Sequence, residues 1–283
     1  MKIRIISSVV ALAIGISVII GIFTPVFPIF VAFLSVFAAN EIMKVVGVKS
    51  KLITIPASIF SVAIPAYVGF IDKIKYNIPV DAVLALYCIM MLSFMLKTHK
   101  KTKFEQLAIT LYASVFVPYA FSCVIMLGRV HNTYAGVYKS AESVYFVFFS
   151  LFCALLTDTF AYFVGRKLGK HKMAPVISPK KSVEGAIGGF VLSVLFNFAI
   201  FAGVKQWIFH GETAINFPFV IIMSIILSGV SMLGDLTASL LKRNYGIKDF
   251  GKIMPGHGGI MDRFDSCVFV WPVLVAGIKF INM

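Results

Sequence analysis

The chain consists of long apolar stretches separated by short polar connections. A helix needs about 20 apolar residues to cross a bilayer, and nine stretches fit membrane-spanning helices. They cover residues 5–23, 25–39, 52–70, 78–96, 107–127, 143–164, 186–204, 217–234 and 266–281. The second stretch is short and proline-rich at its start, so a tight hairpin with the first stretch is the alternative to a full crossing.

Composition points to the same class of protein. Hydrophobic residues make up 59% of the 283 residues and charged residues only 13%, whereas a soluble domain has about 25% charged residues. We therefore predict an all-α integral membrane protein of about nine helices, with a polar site at the cytoplasmic helix ends. Residues 1–140 form an N-terminal transmembrane region and residues 141–283 a catalytic one, with cytoplasmic loops at 165–185 and 235–265.

The positive charges alternate along the predicted spans. Of the 26 Lys and Arg residues, 20 fall on the side of the N-terminus and 6 on the other side. Because cytoplasmic loops collect Lys and Arg, this distribution predicts a multi-pass protein of the cell (inner) membrane with a cytoplasmic N-terminus. The net charge of +14 is thereby explained by topology, and we expect no nucleic-acid partner. The four cysteines lie in or beside apolar stretches and are predicted to be packing residues.

Asp158 lies late in the sixth apolar stretch, in the sequence TDTFAY. A carboxylate at that depth is costly unless it is paired or lines a polar cavity. It is either part of a substrate site or paired with Arg166 or Lys167 at the end of the helix.

The connection after this stretch contains the sequence SPKKSVEG, from Ser178 to Gly185. Lys180 and Lys181 supply positive charges suited to phosphate. Ser182 is placed to cap the next helix, with Glu184 in its first turn. The segment is either a phosphate-binding loop or simply a capped basic loop.

The loop 235–265 carries the densest set of polar residues. If it begins as a helix, Asp235, Ser239 and Lys242 share one face, and Asp262 and Asp265 share a face of the next helix. Carboxylates from two helix ends suit Mg²⁺, which completes its shell with water and substrate phosphates. Gly258 and Gly259 allow the backbone to approach a ligand, and the neighbouring His257 is a general base, a phosphate donor or a hydrogen-bonded turn residue.

Two motifs resemble the phosphatidate cytidylyltransferase (CDP-diacylglycerol synthase) family. The longer motif runs from Ser239 to Asp265 and includes the sequence PGHGGIMDRFD, and the shorter combines TDTFAY with SPKKSVEG. The resemblance covers about residues 150–283, since the N-terminal half matches only as a series of apolar spans. At position 238 this chain has alanine where the family usually has glutamate, so that position carries no ligand role here. Either that role is dispensable or another acid, such as Asp265, takes it over.

The resemblance implies a reaction in which CTP and phosphatidate give CDP-diacylglycerol and pyrophosphate. It also implies a homodimer in membrane lipids and a divalent metal, Mg²⁺, as one or two ions held at Asp235 and Asp262. Phosphatidate brings its own ionised nucleophile, so no general base is obligatory and His257 becomes a positioning group. The residues expected to act in catalysis are Lys242, Arg243, Lys248, Asp249, His257, Arg263 and Asp265. The residues expected to bind substrate are Asp158, Ser178, Lys180, Lys181, Glu184, Ser239, Gly258 and Gly259.

Two other functions are open on the sequence. The first is a CTP-dependent enzyme acting on another lipid, such as a CDP-archaeol synthase or a polyprenol kinase. The second is a transporter for an anionic solute, which nine spans and basic loops would also fit. Transporters place polar groups near the membrane midplane, whereas here they concentrate at one face.

Overall fold

A computed structural model describes residues 21–74, 79–253 and 258–283. In that part of the chain seven helices are long and apolar enough to cross a membrane. They are α1 (Val26–Val45), α2 (Lys51–Phe70), α3 (Val80–Lys97), α4 (Phe104–Gly128), α6 (Ser140–Leu168), α7 (Val183–Trp207) and α8 (Phe217–Asn244). The remaining elements are α5 (Val130–Thr133), α9 (Met261–Phe264), α10 (Cys267–Ile281), a 3₁₀ turn at Ile71–Lys73 and strands β1 (Lys172–Ala174) and β2 (Ser178–Ser182).

Eight of the nine predicted apolar stretches are helical, which confirms an all-α membrane protein. The first stretch lies almost wholly outside the described residues, so the count of nine stays a prediction. The second stretch is longer than expected, because α1 continues to Val45 and reaches 20 residues. The last stretch gives the 15-residue α10, which is shorter than the usual length of a crossing helix.

The chain forms two compact units. The first contains residues 1–125 and 247–263, and the second contains residues 126–246 and 264–283. In the first unit, α1 packs along α2 and against α4, which contains a π-helical segment at Tyr112–Phe116. In the second unit, α6 and α7 pack along each other, and α8 contacts α6, α7 and α10.

The long helices of the second unit begin at recognisable caps. The Ser182 side chain accepts a hydrogen bond from the Gly185 N–H at the start of α7, as the sequence predicted. Asn216 caps α8 by accepting from the Phe219 N–H at 2.9 Å, and Pro218 follows within the first turn, where its missing N–H costs nothing. Both caps satisfy N–H groups that have no partner within the helix.

The two predicted cytoplasmic loops contain more regular structure than expected. Residues 165–185 include the end of α6 and the antiparallel hairpin of β1 and β2. The helix α8 continues through Asp235 to Asn244, which confirms the helical face of Asp235, Ser239 and Lys242. The prediction that Asp262 and Asp265 share a helix face is wrong, because α9 ends at Phe264 and Asp265 lies in the turn before α10.

All four cysteines are free thiols, and Cys123, Cys153 and Cys267 are buried. Their interpretation as packing residues is confirmed for these three, while Cys88 is half-buried.

Candidate active site

Three elements of the second unit bring two carboxylates to one lysine. Asp158 is supplied by α6, Asp235 by α8, and Lys181 by the strand β2 between them. The Lys181 Nζ lies 4.0 Å from Asp158 Oδ1 and forms an ion pair with Asp235 Oδ2. Asp158 thus pairs with the hairpin lysine rather than with Arg166 or Lys167.

A second ion pair adjoins the first. The Lys242 Nζ, one further turn along α8, lies 3.9 Å from Asp265 Oδ2, and both side chains are largely buried. Asp265 also accepts the Ser266 N–H at 2.8 Å, and the Ser266 hydroxyl donates to Asp158 at 3.2 Å. We call Asp158, Lys181, Asp235, Lys242 and Asp265 the carboxylate–lysine cluster.

The charge of the cluster is unbalanced, with three acids against two lysines. Burial raises the pKa of Asp265 to about 7, and the neighbouring charges of Asp235 and Asp158 raise it further, while Lys242 opposes the shift. A shift of this kind is typical of functional sites, where carboxylates are held together in a partly buried environment.

A cavity of about 320 Å³ opens beside the cluster. Its volume lies at the lower end of the range for small-molecule sites. Its polar walls include Asp158, Tyr162, Ser178, Lys180, Lys181 and Asp235. Five of these six residues were predicted from the sequence, and Tyr162 belongs to the TDTFAY motif without having been assigned a role.

The hairpin that carries Lys181 is fixed at both ends. Glu184 accepts the N–H of Lys170 at 3.0 Å and of His171 at 3.2 Å, and it pairs with the His171 ring at 2.6 Å. At the other end the Arg243 guanidinium donates to the Ile177 carbonyl at 3.3 Å. Glu184 and Arg243 therefore hold the hairpin in place, and no sequence motif pointed to His171.

The rest of the signature lies in the first unit, in residues 247–263, which we call the glycine loop. Asp262 Oδ2 accepts the N–H of Phe250 at 2.7 Å and of Gly259 at 2.9 Å. Gly258 has φ of +88°, a conformation that favours glycine. Lys248, Asp249 and Arg263 are exposed, and the predicted role of His257 falls outside the described residues.

Sequence reasoning missed Glu41, an acid that binds the glycine loop. Glu41 on α1 is buried and accepts two backbone N–H groups of the loop, from Ile260 at 3.1 Å and Met261 at 2.9 Å. The predicted second stretch ended at residue 39, so Glu41 lay outside it and no signal singled it out. In the structure α1 continues to Val45, and an acid within an apolar helix is costly unless it is satisfied.

The acidic side chains of the second unit supply some, but not all, of the ligands that a hard cation needs. Carboxylate oxygens are the ligands that Mg²⁺ prefers, and Asp158 and Asp235 already converge on one ammonium group. Among the described residues, no group of three or more histidine, cysteine or acidic side chains is arranged to hold a metal ion. A metal at Asp235 would therefore depend on water or on substrate oxygens to complete its shell.

Two further positions on α8 complete the description. Ser239 is half-buried on the face shared with Asp235 and Lys242. Ala238 is buried, with 5% of its surface exposed, so the position at which the resemblance leads one to expect glutamate is an apolar packing position in this chain.

Comparison with known proteins adds independent information. A family model described as "Cytidylyltransferase family" matches residues 2–281. Proteins named phosphatidate cytidylyltransferase match over nearly the whole chain. Those of Staphylococcus saprophyticus, Staphylococcus haemolyticus and Staphylococcus aureus are 33%, 32% and 31% identical, with 97% of each chain covered.

Proposed function

The chain belongs to the cytidylyltransferase family, and on that premise we propose that it is a multi-pass membrane enzyme that transfers a cytidylyl group from CTP to phosphatidate. The products are CDP-diacylglycerol, a precursor for phospholipid synthesis, and pyrophosphate. The observation that carries the proposal is the carboxylate–lysine cluster, in which Lys181 joins Asp158 and Asp235 beside a cavity. The motifs that form this cluster belong to a chain whose relatives match over 97% of their length.

The reaction is an in-line displacement at phosphorus. A phosphate oxygen of phosphatidate attacks the α-phosphorus of CTP, and the bond from that phosphorus to the bridging oxygen of the β-phosphate breaks. The second pKa of a phosphate monoester is about 6, so the attacking oxygen is already ionised near neutral pH. Catalysis then depends on positioning and on charge neutralisation rather than on a protein nucleophile.

The lysines of the site are suited to neutralising phosphate charge. Lys180 and Lys181 reach the cavity from β2, and Lys242 lies on the same face of α8 as Asp235. An ammonium group placed where negative charge develops lowers the barrier most when water is excluded. Lys181 exchanges its carboxylate partners for phosphate when substrate binds, while Lys242 remains beside Asp265.

A divalent metal is part of the proposal. When bound, Mg²⁺ would supply charge neutralisation for the phosphate groups of the substrates. Asp235 would hold it, with Asp158 beside it, and the contribution of Asp262 stays a prediction. The number of ions, one or two, is left to metal-binding measurements.

The proposal also includes the orientation of the chain in the membrane and its assembly as a homodimer. The 20:6 distribution of Lys and Arg supports a cytoplasmic N-terminus and a cytoplasmic site at the inner membrane, where a water-soluble nucleotide meets a lipid. The family resemblance supports a homodimer surrounded by membrane lipids.

The decisive test is an assay of the purified protein in detergent with phosphatidate and CTP labelled at either the α- or the γ-phosphate. We expect α-label in the lipid and γ-label in pyrophosphate, with Mg²⁺ present and not with EDTA. Transfer of the γ-label to lipid would instead identify a polyprenol kinase-like enzyme. Transfer of the α-label only to an ether-linked lipid phosphate would identify a CDP-archaeol synthase-like enzyme. Anion flux in proteoliposomes without CTP turnover would identify a transporter.

A further inference from the structure

One buried acid lies in a membrane-spanning helix and takes no part in the chemistry proposed above. Glu41 is 4% exposed and belongs to the last turns of α1. Both of its carboxylate oxygens are used, because Oε1 accepts the Ile260 N–H and Oε2 the Met261 N–H. An acid in an apolar helix is energetically costly. Here the carboxylate is satisfied by backbone N–H groups of the glycine loop.

The same loop is fastened internally by a second acid. Asp262 accepts the N–H groups of Phe250 and Gly259 through one oxygen, which ties the two ends of the loop together. Glu41 therefore anchors a loop whose internal shape is set by Asp262. Backbone N–H groups bound to a carboxylate are held more firmly than those bound to neutral acceptors.

Two glycines of the loop lie directly against the Glu41 carboxylate. A Cβ atom added at Gly251 or at Gly259 would overlap that carboxylate. The carboxylate cannot move aside without losing the N–H groups of Ile260 and Met261, so any larger side chain at either position would break the anchor. Glycine is thus required at positions 251 and 259 by the Glu41 carboxylate, independently of any contact with substrate.

The structure assigns Glu41 as a positioning residue that seats the glycine loop, and assigns Gly251 and Gly259 to making room for it. Glu41 acts through the loop and touches no reacting atom. Its effect on catalysis rests on the proposed function, because Lys248, Asp249 and Arg263 are carried by this loop. The part of the sequence without recognisable motifs therefore holds the glycine-loop part of the signature in place.

Hydrogen–deuterium exchange of the purified full-length protein tests the anchor without any assay of activity. We expect Glu41→Ala to increase the exchange rate of the peptide covering residues 258–262 by at least about tenfold. Asn40→Ala is the matched control, because Asn40 is the preceding residue of α1 and its contacts are with Val36 and Ser58 rather than the loop. Equal exchange in the Glu41→Ala and wild-type proteins would overturn the assignment.

A double-mutant cycle tests the role of the glycines. Gly259→Ala should accelerate exchange in the wild-type background and add little in the Glu41→Ala background, because the overlap has then been removed. Contacting residues give such non-additive effects, whereas independent ones add, so additive effects would contradict the proposal. If Glu41→Ala does not fold, Glu41→Gln replaces it, since one acceptor is kept and intermediate exchange is expected.

Kinetics separate this role from general stability. Glu41→Ala should lower kcat/KM for CTP by at least about tenfold, Glu41→Gln should recover part of it, and Asn40→Ala should retain wild-type values. Wild-type kcat/KM in Glu41→Ala despite faster exchange would overturn the catalytic part of the assignment. If the wild-type protein itself lacks CTP turnover, the proposed function fails while the exchange result still decides the anchor.

Discussion

The carboxylate–lysine cluster and the glycine loop use the same residue types in opposite ways. In the cluster, the acids face ammonium groups, as Asp158 and Asp235 face Lys181. In the glycine loop, the acids face the backbone, as Glu41 and Asp262 accept four N–H groups between them. An acid paired with a flexible lysine can exchange that partner for a metal or a substrate, whereas an acid bound to backbone N–H groups shapes the chain.

The two regions are also supported differently. The cluster depends on close packing of α6 and α7, where a Cβ at Gly189 would lie 2.7 Å from the Thr157 carbonyl and 2.8 Å from Ala161. Thr157 immediately precedes Asp158, so this contact sets the position of the acid. The glycine loop is held by the carboxylate anchors, together with the buried side chains of Phe250, Ile260 and Met261. Close helix packing therefore supports the first region, and carboxylate–backbone hydrogen bonds support the second.

The largest effect is expected where an acid of the cluster loses its charge. Asp235→Asn should lower turnover with CTP and phosphatidate by at least about 100-fold, because a group that stabilises charge in the transition state is removed. Glu212→Gln is the control, since Glu212 forms only an exposed ion pair with Lys139, and such pairs contribute little. Near-wild-type turnover in Asp235→Asn would remove Asp235 from the metal assignment and end the contrast between the two regions.

The sequence predicted most of the cluster. Asp158, Ser178, Lys180, Lys181 and Asp235 were all named from their motifs, and the structure places them around one cavity. Their contacts with each other were not predictable, because Asp158 and Lys181 are on different elements whose pairing depends on tertiary packing. The pairing with Arg166 or Lys167 was the local alternative, and the hairpin of β1 and β2 replaced it by bringing Lys181 closer.

The glycine loop was predicted less completely. Its residues were recognised by their motif, but the acid that holds it comes from α1, more than 200 positions earlier in the chain. The predicted second stretch ended at residue 39, so Glu41 fell in a connection, where an acid needs no buried partner, and it carries no motif. The error over Asp262 and Asp265 has a similar origin, because spacing alone does not reveal that α9 ends after a single turn.

A smaller effect is expected from altering the packing that supports the cluster. Gly189→Ala should lower the free energy of unfolding by about 1–3 kcal/mol, since the added methyl group overpacks the contact with α6. Gly203→Ala on the same helix is the matched control, because nothing lies within 4 Å of a Cβ at that position. There the better helix propensity of alanine should leave stability unchanged or slightly higher. Thermal unfolding in detergent measures both, and equal shifts would show that close packing does not support this region.

The smallest effect is a pH dependence that Asp265 gives to the cluster. Because burial raises the pKa of Asp265 from its ordinary value of 3.8 to about 7 in the folded protein, the folded state binds this proton more tightly than the unfolded state. The contribution of Asp265 to stability is then greatest below its ordinary pKa and falls as the pH rises towards 7, by about 1 kcal/mol between pH 6 and 7.5.

Asp265→Asn should remove that part of the slope, whereas Glu212→Gln should keep it. Measuring thermal unfolding across this interval in EDTA excludes any contribution from divalent ions. A slope that is the same in Asp265→Asn as in the wild type would mean that the buried acid is compensated by Lys242 at every pH. The cluster would then behave like the glycine loop, with its charges permanently satisfied, and would lose the exchangeable character on which its proposed chemistry depends.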